Sequence, residues 1–176
     1  MKEILIVYHG VGMAGKTTNL DSLKEIFSNY VIDRFHAKTV ENRTIFLDTL
    51  LMGINIKNLD FKLKVRLMST PGQDRFEILR PWILNNANGF VFVYDPTVNH
   101  NENLKAFREI YESKLPKVIQ INKVDLADQG KVLEIKNVFK NFITVEAVAK
   151  EKIGVKETFQ TILKEILKWK DGKVRI

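Results

Sequence analysis

Residues 10–17 read GVGMAGKT, a glycine-rich segment that ends in a lysine and a threonine. The spacing matches the pattern G-x-x-x-x-G-K-[ST], in which a tight loop turns its backbone N–H groups towards phosphate oxygens. Gly10 and Gly15 permit backbone conformations that a side chain would penalise. Lys16 would bring a positive charge to the outer phosphates, and the Thr17 hydroxyl is the kind of oxygen ligand that Mg²⁺ prefers. The segment predicts a site for a nucleoside phosphate.

Three further residues complete the expected phosphate contacts. Gly12 lies where a side chain would crowd the terminal phosphate, and Ala14 and Thr18 flank the G-K-T part of the motif. A helix that begins directly after the loop would add the positive end of its dipole. We assign Gly12, Ala14 and Thr18 to the same nucleotide-binding loop.

A second segment distinguishes between nucleotide bases. Residues 122–125 read NKVD and follow a short apolar run typical of a buried strand. The two acceptor oxygens of Asp125 match the ring N1–H and the exocyclic amine of guanine, whereas adenine lacks this pair of donors. Such a requirement can reject the wrong ligand by ~10⁴-fold. Lys123 would lay its aliphatic stem over the base, and Asn122 would tie this segment to the phosphate loop.

A third, shorter segment follows the next predicted strand. Residues 146–149 read EAVA, and the backbone N–H of Ala147 would meet the guanine carbonyl, with Val148 beside it. Alone, this segment is no better than chance. With the other two, it indicates a guanine-nucleotide site at the ends of three strands.

The elements that must position these loops alternate between strand and helix, which is typical of an α/β fold. Two strands follow one another between residues 44 and 68, with Gly53 and Asn58 near the turn, so we expect a hairpin there. We predict one domain over 1–176, with a mostly parallel six-stranded sheet, one antiparallel edge strand and helices on both faces. Strands are predicted at 3–8, 44–51, 61–68, 89–94, 117–121 and 142–145, and helices at 15–29, 77–86, 101–114, 132–140 and 155–170.

The composition excludes several other functions. The chain has 176 residues, enough for one domain, and 45% hydrophobic residues can build its core. It contains no cysteine, which excludes disulfides, cysteine-ligated metals, a thiol nucleophile and prenyl or palmitoyl anchors. No apolar run approaches the ~18 residues of a membrane span, so we expect a cytoplasmic protein. The net charge of +7 comes from scattered basic residues, without the aromatic and basic pattern of a nucleic-acid binder.

Four segments give the chain a family resemblance: AGKTTNL at 14–20, Arg43-Thr44, TPGQ at 70–73 and EAVA at 146–149. Together with NKVD, they resemble the Ras-like small GTPases, and among these the bacterial gliding and cell-polarity branch of the mutual gliding protein A (MglA) type. The resemblance implies a P-loop domain that binds GTP or GDP with Mg²⁺, hydrolyses GTP slowly and changes its partners with the nucleotide. It also implies a homodimeric roadblock-fold regulator of the MglB type, a monomer in isolation, and recruitment to the membrane or cell pole by partners.

The resemblance assigns roles that spacing alone does not. Gly72 would offer its backbone N–H to the terminal phosphate, and Gln73 would orient the attacking water. Thr44 matches the threonine that joins Thr17 on Mg²⁺ when the terminal phosphate is present. Thr39 is the second choice for that role, because Ala-Lys-Thr at 37–39 has similar chemistry.

Two positions bear on the rate of hydrolysis. Arg43 would act as an arginine finger from within the chain and, with Lys16, neutralise charge in the transition state. A solvated residue at the start of a strand is the alternative for Arg43. Ser69 stands where most Ras-like proteins have an aspartate, and the gliding branch also has a hydroxyl residue there, so we expect Mg²⁺ to be held more weakly. Other arginines in or near the two switch segments are Arg34, Arg75 and Arg80.

Two other functional classes stay open. A non-hydrolysing scaffold that holds guanine nucleotides would account for Ser69, whereas Gln73 and Arg43 favour hydrolysis. A P-loop kinase or ATPase would prefer ATP and would need a lid over its acceptor. The NKVD segment and the lack of a lid-sized insertion disfavour that class.

Overall fold

The computed structural model describes residues 3–36, 48–55, 62–71 and 80–174. In these ranges seven strands form one sheet. The strands are β1 (Glu3–His9), β2 (Val31–His36), β3 (Asp48–Asn55), β4 (Lys62–Ser69), β5 (Gly89–Tyr94), β6 (Lys117–Ile121) and β7 (Ile143–Glu146). The helices are α1 (Lys16–Ile26), α2 (Arg80–Asn85), α3 (His100–Tyr111), α4 (Gln129–Val138) and α5 (Val155–Val174). No helix in the described ranges is long and apolar enough to cross a membrane.

The strand order is β2-β3-β4-β1-β5-β6-β7. Strands β4, β1, β5, β6 and β7 pair in parallel, and β3 runs antiparallel to both β4 and β2. Parallel neighbours need crossover connections, and helices supply them on both faces of the sheet. The predicted α/β class, with antiparallel pairing at one edge, is confirmed.

The sheet has seven strands rather than the predicted six, because β2 carries no continuous apolar run. Its sequence VIDRFH places Asp33 and Arg34 in the middle of the strand. Ile32 and Phe35 are 55% and 51% exposed, as is typical of the outermost strand of a sheet. The antiparallel strand β3 therefore lies one position inside that edge.

The predicted antiparallel pair is present as β3 and β4, but Gly53 does not lie at its turn. Strand β3 continues beyond Gly53 for two more residues. A Cβ at Gly53 would lie 3.2 Å from Cδ1 of Ile32, so the glycine eases the packing of β3 against β2. Residues 44–47 of the predicted strand, and Asn58, lie outside the described residues.

Apolar side chains fill both faces of the sheet. One buried cluster lies beneath α1 and α5, and the other lies beneath α2, α3 and α4. In the second cluster the rings of Phe107 and Phe139 pack edge to face with centroids 5.0 Å apart. The predicted apolar face of the last helix is confirmed, because Phe159, Ile162 and Ile166 are buried. These layers hold the strand ends in fixed positions.

The carboxyl ends of β1, β4, β5, β6 and β7 gather at one edge of the sheet, where ligands of open α/β sheets bind. The loops that carry the predicted motifs follow these ends. Strand β3 runs the other way and therefore begins at this edge. Its first residue, Asp48, pairs with Ser69, the last residue of β4.

Candidate functional site

The loop between β1 and α1 packs tightly against neighbouring strand ends. A Cβ at Gly10 would lie 2.4 Å from the carbonyl oxygen of Val93 in β5. Gly15 has a φ of +101°, and a Cβ there would lie 2.3 Å from Nδ2 of Asn122. Both positions require glycine, and the loop is held so that the N–H groups at the start of α1 can serve an anion.

Lys16 lies across this loop. Its Nζ donates hydrogen bonds to the carbonyl oxygens of Gly10, at 2.9 Å, and of Val11, at 2.6 Å. Burial, with a smaller contribution from the positive charge of Arg80, lowers the pKa of Lys16 to about 8. A phosphate anion beside Nζ would favour the charged amine. The Lys16 ammonium is therefore placed where it could neutralise an anion bound at the loop.

The other residues predicted for the phosphate loop differ in how far they are exposed. Thr17, in the first turn of α1, is exposed, Thr18 is half-buried, Gly12 is exposed and Ala14 is buried. The first turn of α1 contains no acidic residue, so its dipole favours a negative ligand. No three His, Asp or Glu side chains converge on a metal position within the described ranges. The exposed Thr17 hydroxyl is an oxygen ligand of the kind that Mg²⁺ accepts.

Asn122 joins three loops. Its Nδ2 donates to the carbonyl oxygen of Ala14 in the phosphate loop at 2.8 Å. Its Oδ1 accepts the backbone N–H of Ala149, after β7, at 2.9 Å. The side chain is buried, so both bonds are shielded from water. The predicted tie between the NKVD segment and the phosphate loop is present, and it extends to a third segment.

Lys123 and Asp95 form a pair at the ends of β6 and β5. The Lys123 ammonium contacts the Asp95 carboxylate, which also accepts the backbone N–H of Thr97 at 2.9 Å and its hydroxyl at 2.6 Å. Burial alone would raise the pKa of Asp95, but the hydrogen bonds from Lys123 and Thr97 hold it below its ordinary value. Asp95 therefore fixes Lys123 as well as the turn that follows β5.

Asp125 lies in the 3-10 turn Val124–Leu126 and remains partly exposed, so its carboxylate is accessible to a ligand. Nζ of Lys150 lies 3.5 Å from its Oδ2. Lys150 belongs to the turn after β7. The NKVD segment and that turn therefore face each other across the site.

Ala147, whose backbone N–H is predicted to meet the guanine carbonyl, lies directly after β7. Its backbone N–H donates to the carbonyl oxygen of Ile121 at 2.8 Å, and that of Val148 donates to Ile153 at 3.1 Å. Strand β7 runs one residue further than predicted, so Ala147 still bonds to the neighbouring strand. The segment after β7 forms the 3-10 turn Ala149–Glu151, and the N–H of its first residue, Ala149, donates to Oδ1 of Asn122. Sequence reasoning missed this turn because it placed the strand end too early.

Ser69, at the end of β4, is buried beside a carboxylate that had no predicted role. Its Oγ donates to Oδ2 of Asp48 at 3.3 Å. Asp48 also forms an ion pair with Arg34 of β2, and Arg34 reaches Asp21 of α1, with Nη2 2.7 Å from Oδ1. Arg34 therefore links β2, β3 and α1 through ion pairs. This structural role makes Arg34 a weaker candidate for an arginine finger.

His9 and Arg80 attach the residues after β4 to α3. His9 Nε2 donates to the carbonyl oxygen of Ala106 at 2.9 Å, and Nδ1 accepts from the Thr70 hydroxyl at 2.9 Å. Burial lowers the pKa of His9 to about 4, so the ring is neutral at pH 7. Arg80 donates to the carbonyl oxygen of Pro71 at 3.2 Å, so its side chain has a structural role in holding the residues after β4.

Five residues with predicted roles lie outside the described residues: Thr39, Arg43, Thr44, Gly72 and Gln73. Their roles stay predictions.

The fold and the site define a class of protein. A phosphate loop between a strand and a helix, joined by Asn122 to the NKVD segment, is the arrangement of a P-loop site. The sequence profile of the Ras family matches residues 5–168, and the chain belongs to that family. It is a GTP-binding switch protein of the GTPase class.

Individual relatives show which type of Ras-like GTPase the chain resembles. The chain is 31% identical to the mutual gliding-motility protein MglA of Myxococcus xanthus (strain DK1622), over 92% of this chain and 89% of that protein. It is 28% identical to uncharacterized protein MJ1339 of Methanocaldococcus jannaschii, over 92% and 96% of the two chains. It is also 28% identical to Ras-related protein Rab-8B of Bos taurus, over 70% and 66%. The expected resemblance to the MglA type of Ras-like GTPase is confirmed.

Proposed function

We propose that this protein is a Mg²⁺-dependent molecular switch that slowly hydrolyses GTP to GDP and phosphate. The observation that carries the proposal is the Asn122 side chain, which bonds both to the phosphate loop and to the turn after β7. These hydrogen bonds fix the proposed phosphate-binding and base-binding segments relative to each other. Such preorganisation favours a ligand with a base at one end and phosphates at the other.

At the phosphate end, Lys16 and the N–H groups of the loop would stabilise the negative charge of the β- and γ-phosphates. Thr17 and Thr44 would supply hydroxyl ligands to Mg²⁺, with Thr39 as the second choice for Thr44. The bound metal would neutralise phosphate charge. Gly12, Ala14 and Thr18 complete the loop.

At the base end, Asp125 would accept the two guanine donors, and Lys123, fixed by Asp95, would cover the base. We infer that the guanine carbonyl meets the turn after β7 at the N–H of Lys150 rather than at Ala147, because the N–H groups of Ala147 and Ala149 donate within the protein. The bonds made by the N–H groups of Ala147 and Val148 support this change.

Hydrolysis would use residues of the two switch segments. Gln73 would orient the attacking water, Gly72 would donate its N–H to the γ-phosphate, and Arg43 would neutralise transition-state charge. Loss of the γ-phosphate would release both segments and change the affinity for partners. The similarity to MglA supports a role in bacterial motility or cell polarity, with a homodimeric roadblock-fold regulator of the MglB type. We place the protein in the cytoplasm as a monomer that partners recruit to the membrane or cell pole.

Phosphate release from GTP tests hydrolysis directly. We expect slow, Mg²⁺-dependent release by the wild type, faster release with a roadblock-fold partner, and a loss of about 10²-fold or more in Gln73→Leu, because the water is no longer oriented. Gln129→Leu, a matched exposed glutamine at the start of α4, should behave as the wild type. Tight GTP binding without phosphate release, with or without partner, would instead establish the scaffold alternative.

A further inference from the structure

The carboxylate of Asp95, directly after β5, is buried beside the NKVD segment. Its side chain is only 1% exposed, and its Oδ2 contacts the Lys123 ammonium. Its Oδ1 accepts the backbone N–H and the hydroxyl of Thr97, at 2.9 Å and 2.6 Å. A buried charge that loses its ionic partner is strongly destabilised, so Asp95 holds the ammonium firmly.

The backbone of Asp95 is fixed by helix α3. Its N–H donates to Oδ1 of Asn103 at 3.0 Å, and its carbonyl oxygen accepts from Nδ2 of the same side chain at 2.9 Å. Asn103 is fully buried, so both bonds are shielded from water. The carboxylate therefore has a position of its own, and the longer, more flexible side chain of Lys123 adjusts to it.

The backbone of Lys123 has an unusual conformation. Its φ of +57° lies in the left-handed region, which disfavours residues with a side chain and persists where the surroundings impose it. Lys123 immediately precedes the 3-10 turn Val124–Leu126. On the far side of this residue, the N–H of Val124 donates to the carbonyl oxygen of Ala147 at 3.3 Å. The contact of the Lys123 ammonium with Asp95 is a second restraint on the same residue.

Lys123 is the joint between an anchored residue and an accessible one. Asn122 before it is held by the phosphate loop and by the turn after β7. Asp125 lies in the 3-10 turn after it, and its side chain is 33% exposed. The contact of Asp125 with Lys150, at 3.5 Å, is a solvent-exposed ion pair, which is a weak restraint. The direction of the Asp125 carboxylate therefore depends on the conformation at Lys123.

We propose that Asp95 is a positioning residue for guanine selection. By holding the Lys123 ammonium, it fixes the left-handed joint that presents Asp125 to the base. The inference rests on the proposed function, because it concerns the guanine of the same nucleotide site. It also attaches the base end of the site to α3 through Asn103, in addition to the tie with the phosphate loop.

The test compares the affinities of the full-length protein for GDP and for inosine diphosphate, which lacks the exocyclic amine of guanine. Asp95→Asn keeps the shape of the side chain but removes the charge that holds Lys123. We expect GDP affinity to fall by about 10-fold or more, the effect of losing a hydrogen bond to a charged group. The preference for GDP over inosine diphosphate should fall by about 3–10-fold, because a displaced Asp125 no longer reads the amine.

Two control variants distinguish positioning from general effects. Thr158→Val removes a buried hydroxyl that accepts from Gln120 at 3.0 Å, so it should lower stability but keep the nucleotide preference. Glu165→Gln breaks another carboxylate–lysine pair, with Lys168 on α5, and should change neither quantity. A loss of stability alone would not alter the ratio of the two affinities.

A double variant tests whether Asp95 acts through Lys123. Asp95→Asn combined with Lys123→Met replaces the ion pair by neutral side chains of similar length. If the two residues act as a unit, the double variant should keep the same ratio of affinities as Asp95→Asn alone. A further loss of preference in the double variant would show that Asp95 does not act through Lys123 and would overturn the proposal.

An unchanged preference in Asp95→Asn would also overturn the proposal. If that variant does not fold, Asp95→Glu decides, since it keeps the charge but displaces the ammonium, and an unaltered preference there would be equally contrary. A wild type that binds GDP and inosine diphosphate equally, or binds neither, would instead reject the proposed guanine site itself. The two failures are therefore distinguishable.

Discussion

His9 shows how a single buried side chain makes the stability of this protein depend on pH. Burial lowers its pKa from an ordinary 6.5 to about 4. Between these values the unfolded chain binds a proton that the folded chain does not, so stability falls as the pH is lowered. The contribution is present above about pH 6.5 and is lost progressively down to about pH 4, by up to about 3 kcal/mol.

We expect His9→Gln to flatten this dependence, because glutamine has no proton to gain. The measurement is the free energy of unfolding by denaturant at several pH values from 7 to 4.5, with His100→Gln as a control on the surface. The difference between wild type and His9→Gln should narrow as the pH falls. A constant difference across that range would contradict a buried neutral His9.

At the scale of elements, the site depends on loops that are held by side chains rather than by strands alone. Asn122 bonds to the loop before α1 and to the turn after β7, so it fixes two segments that no strand pairing connects. We expect Asn122→Ala to leave a buried carbonyl and a buried N–H without partners, which costs about 1–3 kcal/mol of stability. Because both loops are proposed to contact the nucleotide, GDP affinity should fall about 10-fold or more.

Gln120→Ala is the matched control for that change. Gln120 is also a fully buried amide of the same strand region, and it bonds to Asn19 and Thr158 rather than to the loops of the site. Denaturant unfolding and GDP titration should therefore show a similar stability loss but a much smaller affinity loss. Equal affinity losses in the two variants would mean that Asn122 acts through general stability alone.

The local motifs could be predicted because each is a continuous segment beside an apolar strand. The GVGMAGKT and NKVD segments required no knowledge of pairing, and the structure brings them together. The Asp48–Ser69 contact could not be predicted, because it joins residues 21 apart through strand register. Strand β2 was not predicted because its exposed edge position tolerates polar residues. The end of β7 was predicted one residue too early because its last residue, Glu146, is not apolar.

For the whole molecule, the parallel sheet explains why residues far apart in sequence act at one place. Strands β1, β4, β5, β6 and β7 end at the same edge, and β3 begins there. The phosphate loop and the NKVD segment therefore lie together at this edge without a separate domain to carry them. Membership of the Ras family agrees with this arrangement.

The most direct test of the central claim is competition of GTP, GDP and ATP against a fluorescent guanine nucleotide in the presence of Mg²⁺. The account predicts that GTP and GDP compete strongly and ATP by ~10⁴-fold less. Asp125→Asn should lose most of that preference, whereas Asp128→Asn, which alters only the cap of α4, should keep it. ATP binding as tight as that of GTP would contradict the claim that this protein is a guanine-nucleotide switch.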